Sequence, residues 1–435
     1  SHNPPEYNGY KVYWEDGAQI TPPHDSGIMG EVKAISDWNT VKTMDKEDAV
    51  KAGLFEVIGQ AVDDAYMAEL KKQIIHMDAI QAEGRNLKIV YTPLHGTGNI
   101  PARRILKELG FENVYVVPEQ ELPDGDFPTV ASANPEEPAA FKMALDLARK
   151  IDADLAMACD PDGDRIGIAV KNDAGEWTLL NGNQTNIIFT EYIIRRKKEL
   201  NQLKGGEYTV KTIVTTELIK DIAEKNHIIC YDVYTGFKWI ADVIRKEGGE
   251  KFIGGGEESF GYMPGAFTRD KDGVSATSLM AEIAAWVKMQ NKTLYSFLKE
   301  IYAKYGFSQE RMIYIVRKGL SGAQEIKAMM EEFRHNTPKE INHSPVVLKK
   351  DYLSLEATNL QTGEKTHLDF ETKSDVLQFF LADGSKISVR PSGTEPKIKF
   401  YFEARTQMKD INDYERAQQE ANARIDAIIK DLKLQ

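Results

Sequence analysis

Four short stretches of this chain place hydroxyl, carboxylate and guanidinium groups where loops would carry them. The chain opens Ser1-His2-Asn3-Pro4-Pro5, a hydroxyl beside an imidazole and an amide, followed by two prolines. Proline fixes φ and supplies no amide hydrogen, so this stretch stays out of helix and ladder. A serine held on a stiff loop can serve as a nucleophile. In Asp160-Pro161-Asp162-Gly163-Asp164-Arg165 three carboxylates alternate along one loop. Anions so close repel, and a divalent cation is the natural remedy. An EF-hand begins the same way but continues with glycine at 165 and glutamate at 171, where this chain has Arg165 and Lys171. Magnesium, which is octahedral and commonly completed by a phosphate oxygen, suits the loop better than calcium.

Two more loops complete the set. Gly254-Gly255-Gly256 brings backbone close to whatever binds there, and in Glu257-Glu258-Ser259-Phe260-Gly261 the Glu257 carboxylate and Ser259 hydroxyl can bond vicinal sugar hydroxyls. Arg390-Pro391-Ser392-Gly393-Thr394 combines a guanidinium fork, two hydroxyls and a glycine, the composition of an anion cradle. It lacks the Gly-Lys-Ser/Thr ending of a Walker loop.

Together, in this order, the four loops resemble the signature loops of the α-D-phosphohexomutases, the phosphoglucomutase/phosphomannomutase family. The likeness runs from Ser1 to the last helix. It implies interconversion of glucose 1-phosphate and glucose 6-phosphate through a phosphoserine at Ser1 and a glucose 1,6-bisphosphate intermediate, with Mg2+ as cofactor. It implies phosphorylated Ser1, Asp160, Asp162 and Asp164 as metal ligands, and Arg165 as positive charge toward the transferring phosphoryl group. Glu257 and Ser259 would grip the sugar, helped by Gly236 and Lys238 of Thr235-Gly236-Phe237-Lys238-Trp239. Arg390, Ser392, Gly393 and Thr394 would hold the phosphate that is not reacting, with Lys397 beside them. Arg269-Asp270-Lys271-Asp272-Gly273 matches a motif whose lysine shuttles a proton. That role requires a pKa lowered by burial or by neighbouring positive charge, and His2 is the rival candidate. The Glu-Glu-Ser form resembles phosphoglucomutases, whereas Tyr10-Lys11-Val12-Tyr13-Trp14 and Gly236-Phe237-Lys238-Trp239 resemble the branch that includes phosphopentomutases. Mannose and pentose phosphates therefore stay open as substrates. Sugar-phosphate binding without turnover and a metal-dependent phosphatase are the readings from other classes.

The acidic composition argues against a general polyanion-binding surface, so any anion site must be local. Acidic residues outnumber basic ones, 67 to 55, which argues against nucleic acid or a membrane surface as partner. The expected partner is a phosphosugar, with the chain a monomer or homodimer. Two cysteines, Cys159 and Cys230, make no disulfide framework, and a cytoplasmic location is the default. No apolar run approaches the roughly 20 residues of a membrane span.

At 435 residues the chain exceeds one core. The resemblance implies successive three-layer α/β domains with mixed or parallel sheets and a C-terminal α+β domain with an antiparallel sheet. The division is 1–45 as the remnant of a phosphoserine domain, 46–180, 181–305 and 306–435. Family members carry most of a further α/β domain ahead of the serine, so an N-terminal domain is expected to be largely missing. Within this frame the sequence predicts a strand over 10–14, a helix over 27–39, a connection over 45–67, an amphipathic helix over 65–76, then strands over 87–91, 114–117, 154–159, 166–170, 212–215, 228–233 and 251–254 alternating with helices. Gly96-Thr97-Gly98 follows a strand, but Pro101 stands where a dinucleotide fingerprint needs its third glycine. The pair reads as a tight strand-to-helix turn, with His95 either a turn histidine or a substrate neighbour.

Overall fold

A computed structural model describes residues 2–3, 9–317, 319–392 and 397–434. The chain divides into two compact units, one of residues up to Ile213 with Ala223–Tyr295, the other of Val214–Ile222 with residues from Ser296 onward.

The first unit contains two sheets. The larger has the strand order Val114–Val116, Ile89–Thr92, Leu155–Cys159, Ile166–Lys171, Trp177–Leu180. Its first three strands run parallel and the last two are antiparallel. Leu155–Cys159 is apolar throughout and wholly buried, as a strand covered on both faces must be. It delivers Asp160 at its carboxyl end, where α/β sheets carry their ligands. The second sheet has the order Ile229–Val233, Tyr208–Thr212, Phe252–Gly256, Tyr262–Met263, and Phe252–Gly256 delivers Glu257 in the same way. The fully buried start of the helix Gly273–Met289 is capped by Asp272, whose carboxylate accepts the N–H groups of Val274 and Ser275.

The second unit is built on an antiparallel sheet in the order Phe307–Val316, Lys397–Thr406, Lys386–Pro391, Leu377–Leu381, Ser344–Asp351, Glu356–Asn359, Lys365–His367. Residues 214–222 belong to it because of buried polar bonds. The Glu217 N–H donates to Glu403 at 3.1 Å, and the buried Lys386 ammonium reaches Glu217 at 2.7 Å and Glu403 at 3.2 Å.

Several expectations change. The strand expected over 10–14 is only an isolated bridge between Tyr13 and Gln19, and Tyr10 stays exposed. The helix expected over 27–39 runs His24–Ala34 and ends where Ile35 turns extended. The connection over 45–67 contains the helices Lys46–Lys51 and Gln60–Lys72. The first buries nothing and leaves no apolar stripe to read, while the second, expected over 65–76, starts five residues earlier and buries Met67 and Leu70. The strand expected over 212–215 is Tyr208–Thr212. Lys211 hides it, being fully buried with its ammonium 2.7 Å from Asp232.

A buried glutamate ties helices of the first unit together. Glu282 accepts the N–H groups of Ile75 and His76 and the Tyr192 hydroxyl. Burial pushes its carboxyl up to about 7, outweighing those bonds. A folded-state pKa above the ordinary 4.5 gives a contribution that is complete below about pH 4.5 and is lost as pH rises through about 7. Calorimetry should therefore show wild type losing stability relative to Glu282→Gln over that window, by on the order of 2–3 kcal/mol. A difference flat with pH contradicts this.

Candidate active site

The aspartate loop is shaped by its first residue. Asp160 is fully buried, and its Oδ1 accepts the N–H groups of Asp164 at 3.0 Å and Arg165 at 2.9 Å. Gly163, at φ +74°, donates its N–H to the Asp160 carbonyl at 2.9 Å, and the left-handed turn needs a glycine there. The other oxygen, Oδ2, is buried with no hydrogen bond among the described residues. Among the described residues His2 Nδ1 lies 3.7 Å from it and Arg165 Nε 3.9 Å. Burial, then the Asp164 carboxylate, push the Asp160 carboxyl up to about 6.

Asp162 sits at the loop's outer edge, its Oδ1 3.0 Å from His2 Nδ1. That hydrogen bond holds its carboxyl down at about 2. One donor atom each from His2, Asp160 and Asp162 lie within 4.8 Å of one another. These residues fit a hard cation: two carboxylates converge, and one buried oxygen has its second acceptor position unfilled. Asp164, expected as the third ligand, places one oxygen, Oδ2, 2.8 Å from the Lys271 ammonium. Ser1 lies outside the described residues.

The turn before this loop holds it in place. The Pro161 carbonyl accepts both the N–H and the hydroxyl of Thr97, and a Cβ on Gly96 would stand 2.1 Å from Pro161 Cα. His95 bonds Thr129 and Leu122 with its two ring nitrogens, partners that suit a turn histidine.

Backbone bonds stitch the aspartate loop to the sugar loop. Arg165 and Gly261 form a bridge, Ile166 N–H donates to Phe260 O at 3.0 Å, and Gly273 N–H donates to Gly163 O at 3.1 Å. Gly261 is the crossing point, since a Cβ there would lie 2.7 Å from Phe237 Cε2 and 2.9 Å from Lys271 Cδ. Four loops of the first unit thus meet at one place: 160–165, 235–239, 257–261 and 269–273.

Glu257 is buried and pushed up to about 6 by burial first and the Glu258 carboxylate second. Gly236, at φ +111°, gives it a backbone N–H, Asn186 holds its carbonyl at 2.7 Å, and Ser259 Oγ stands 3.5 Å from Oε2. Lys238 is 3.4 Å from Asp25 and lies over the Trp239 ring. Lys271 is held between two carboxylates, Asp164 at 2.8 Å and Asp270 at 3.3 Å. Burial would lower its pKa, as a proton acceptor requires, but Asp164 and Asp270 outweigh burial and hold it above the ordinary lysine value. Tyr13 anchors Asp270 in turn, at 2.9 Å.

In the second unit Arg390 ends the strand Lys386–Pro391 opposite Lys399, and Ser392 N–H bonds Lys397 O at 2.8 Å. Lys397 sets its ammonium over Tyr314. Gly393 and Thr394 lie outside the described residues.

Sequence reasoning missed Glu136, 2.7 Å from Arg165, and the roles of Tyr13, Asp270 and Asn186. Glu136 sits in Asn134-Pro135-Glu136-Glu137-Pro138, where adjacent proline and acid could have flagged a fixed loop. Among the described residues no helix is long and apolar enough to cross a membrane.

Comparison with known proteins gives the same grouping. Models of phosphoglucomutase/phosphomannomutase alpha/beta/alpha domains I, II and III match residues 1–38, 64–175 and 181–305, and the C-terminal domain model matches 334–424. A phosphoglucomutase of Staphylococcus aureus strain MRSA252 is 35% identical over 403 residues, covering 92% of this chain and 70% of that protein. Parafusin, a phosphoglucomutase of Paramecium, has a similar fold in its open form, with TM-score 0.59 and 18% identity over 85% of this chain. The chain spans 61% of that structure. A phosphoglucomutase/phosphomannomutase family protein of Burkholderia thailandensis gives TM-score 0.52 and 17% identity, covering 86% of this chain and 69% of that one. The chain belongs to the phosphoglucomutase/phosphomannomutase family, a family of isomerases that act by phosphoryl transfer.

Replacing Gly96 with alanine forces the turn off the Pro161 backbone and with it the aspartate loop. Calorimetric Mg2+ affinity of Gly96→Ala should fall about 10–100-fold, the usual scale for a displaced support around a metal site. Unchanged affinity would show that the turn does not hold the loop.

Proposed function

We propose that the chain is a phosphohexomutase interconverting glucose 1-phosphate and glucose 6-phosphate by way of a phosphoserine at Ser1 and glucose 1,6-bisphosphate. The observation that carries this is the joining of the aspartate and sugar loops by the Arg165–Gly261 bridge, with one buried Asp160 oxygen lacking a partner beside it. Phosphoryl transfer needs positioning and neutralised charge more than covalent help, and these loops supply both.

Asp160, Asp162 and Asp164, with the Ser1 phosphate, would hold Mg2+, which supplies Lewis-acid polarisation of phosphoryl oxygens when bound. Arg165 presents its guanidinium to the transferring group. Glu257 accepts hydrogen bonds from sugar hydroxyls, Ser259 joins it, and the Gly236 N–H keeps the carboxylate aimed. Lys238 would reach the sugar by leaving Asp25. Arg390, Ser392, Gly393 and Thr394 are assigned to the non-reacting phosphate. Lys271, held as an ammonium by two carboxylates, donates rather than accepts, which leaves His2 the stronger candidate for proton acceptor. A cytoplasmic sugar-phosphate enzyme is the corresponding cellular reading.

Mannose and pentose phosphates remain substrates to compare, since Glu257 and Ser259 read hydroxyls common to several sugars. Full-length protein should carry phosphate on the Ser1 peptide, turn over glucose 1-phosphate in preference to mannose 1-phosphate and ribose 1-phosphate, and release almost no inorganic phosphate. Asp160→Asn should reduce kcat by about 100-fold or more. Stoichiometric phosphate release would indicate a phosphatase, and bisphosphate binding without turnover would indicate a binding protein.

A further inference from the structure

The direction of the Arg165 guanidinium is decided by one side chain that belongs to no signature loop. Nη1 donates to Glu136 Oε1 at 2.7 Å, and Nε lies 3.9 Å from Asp160 Oδ2. Both members of the pair are only about a quarter exposed, 26% and 27%, so the contact is less screened than a surface ion pair.

Glu136 is itself held. Its N–H donates to Asn134 Oδ1 at 3.0 Å, and the Glu137 N–H donates to the Asn134 carbonyl at 3.0 Å. The loop is pressed onto the strand that begins one residue after Arg165. A Cβ on Gly167 would stand 2.6 Å from Phe141 Cε2 and 2.8 Å from Pro135 Cβ. Side chains on either side of Glu136 therefore clamp its loop to the backbone that carries Arg165.

A carboxylate beside Arg165 weakens the positive potential that the arginine offers an anion. A site selected for attraction alone would leave it out. What the carboxylate adds is direction: one of five guanidinium donors is committed, and the planar fork is fixed for the rest. We propose that Glu136 is a positioning residue that aims the Arg165 fork at the transferring phosphoryl group. The catalytic consequence rests on the mutase reading; the aiming does not.

The test uses the full chain with Glu136→Gln, Glu136→Asp, Arg165→Lys and the double variant Glu136→Gln/Arg165→Lys. Each Glu136 variant should lower kcat about 10–100-fold, the scale of a misplaced reacting geometry, with KM within about threefold and the melting temperature nearly unchanged. In the Arg165→Lys background the further loss from Glu136→Gln should shrink to under about twofold, because a lysine has no fork to aim. Independently of turnover, the Arg165 Nε–Hε signal in 15N NMR should be rigid in wild type and mobile in Glu136→Gln. An unchanged signal, an undiminished loss in the lysine background, or full kcat in Glu136→Asp overturns the proposal. If wild type turns nothing over, the mutase reading fails and the NMR comparison alone decides the aiming.

Discussion

The site depends on a carboxylate placed where water cannot reach it. Asp160 ends a strand with every residue buried, and its own exposure is zero. Two backbone N–H groups satisfy one oxygen and leave the other without a hydrogen bond. A buried charge in that state is unfavourable unless something positive completes it, and its raised pKa expresses the same fact. On the proposed reading a bound cation would complete the second oxygen.

Everything else in the first unit acts to keep that carboxylate near the sugar loop. The connections are backbone to backbone, through Arg165–Gly261, Ile166–Phe260 and Gly163–Gly273, so they persist whatever the side chains do. Glycine stands at each close approach because a Cβ would collide: Gly96 on Pro161, Gly261 on Phe237, Gly273 on the Gly163 and Arg165 carbonyls. The charges then arrange themselves in pairs, Lys271 with Asp164 and Arg165 with Glu136, and His2 Nδ1 bonds Asp162 at 3.0 Å. In the proposed reaction the substrate would meet a site whose charged groups already face one another, which lowers the reorganisation that transfer requires.

The loops were legible in the sequence because their chemistry is local: alternating aspartates, a glycine run before a glutamate, an arginine before serine and glycine. The strands before the aspartate and glutamate loops were legible as apolar runs. What stayed hidden was set by tertiary partners. Lys211 inside a strand reads as surface until Asp232 is seen beside it, and the helix Lys46–Lys51 shows no stripe because it buries no side chain. The motif names Lys271, but its pKa is set by burial and by Asp164 and Asp270, one of them about a hundred residues away in sequence. Glu136 carried no signal beyond a proline-flanked acidic loop, since its role exists only through the arginine it meets.

The central claim is that the buried Asp160 oxygen awaits a divalent cation. Titrating the full chain with Mn2+ and following free metal by electron paramagnetic resonance tests it directly. The account predicts one stoichiometric site in the wild type, displaced by Mg2+ and abolished in Asp160→Asn. No stoichiometric site, or one that survives in Asp160→Asn, would contradict it.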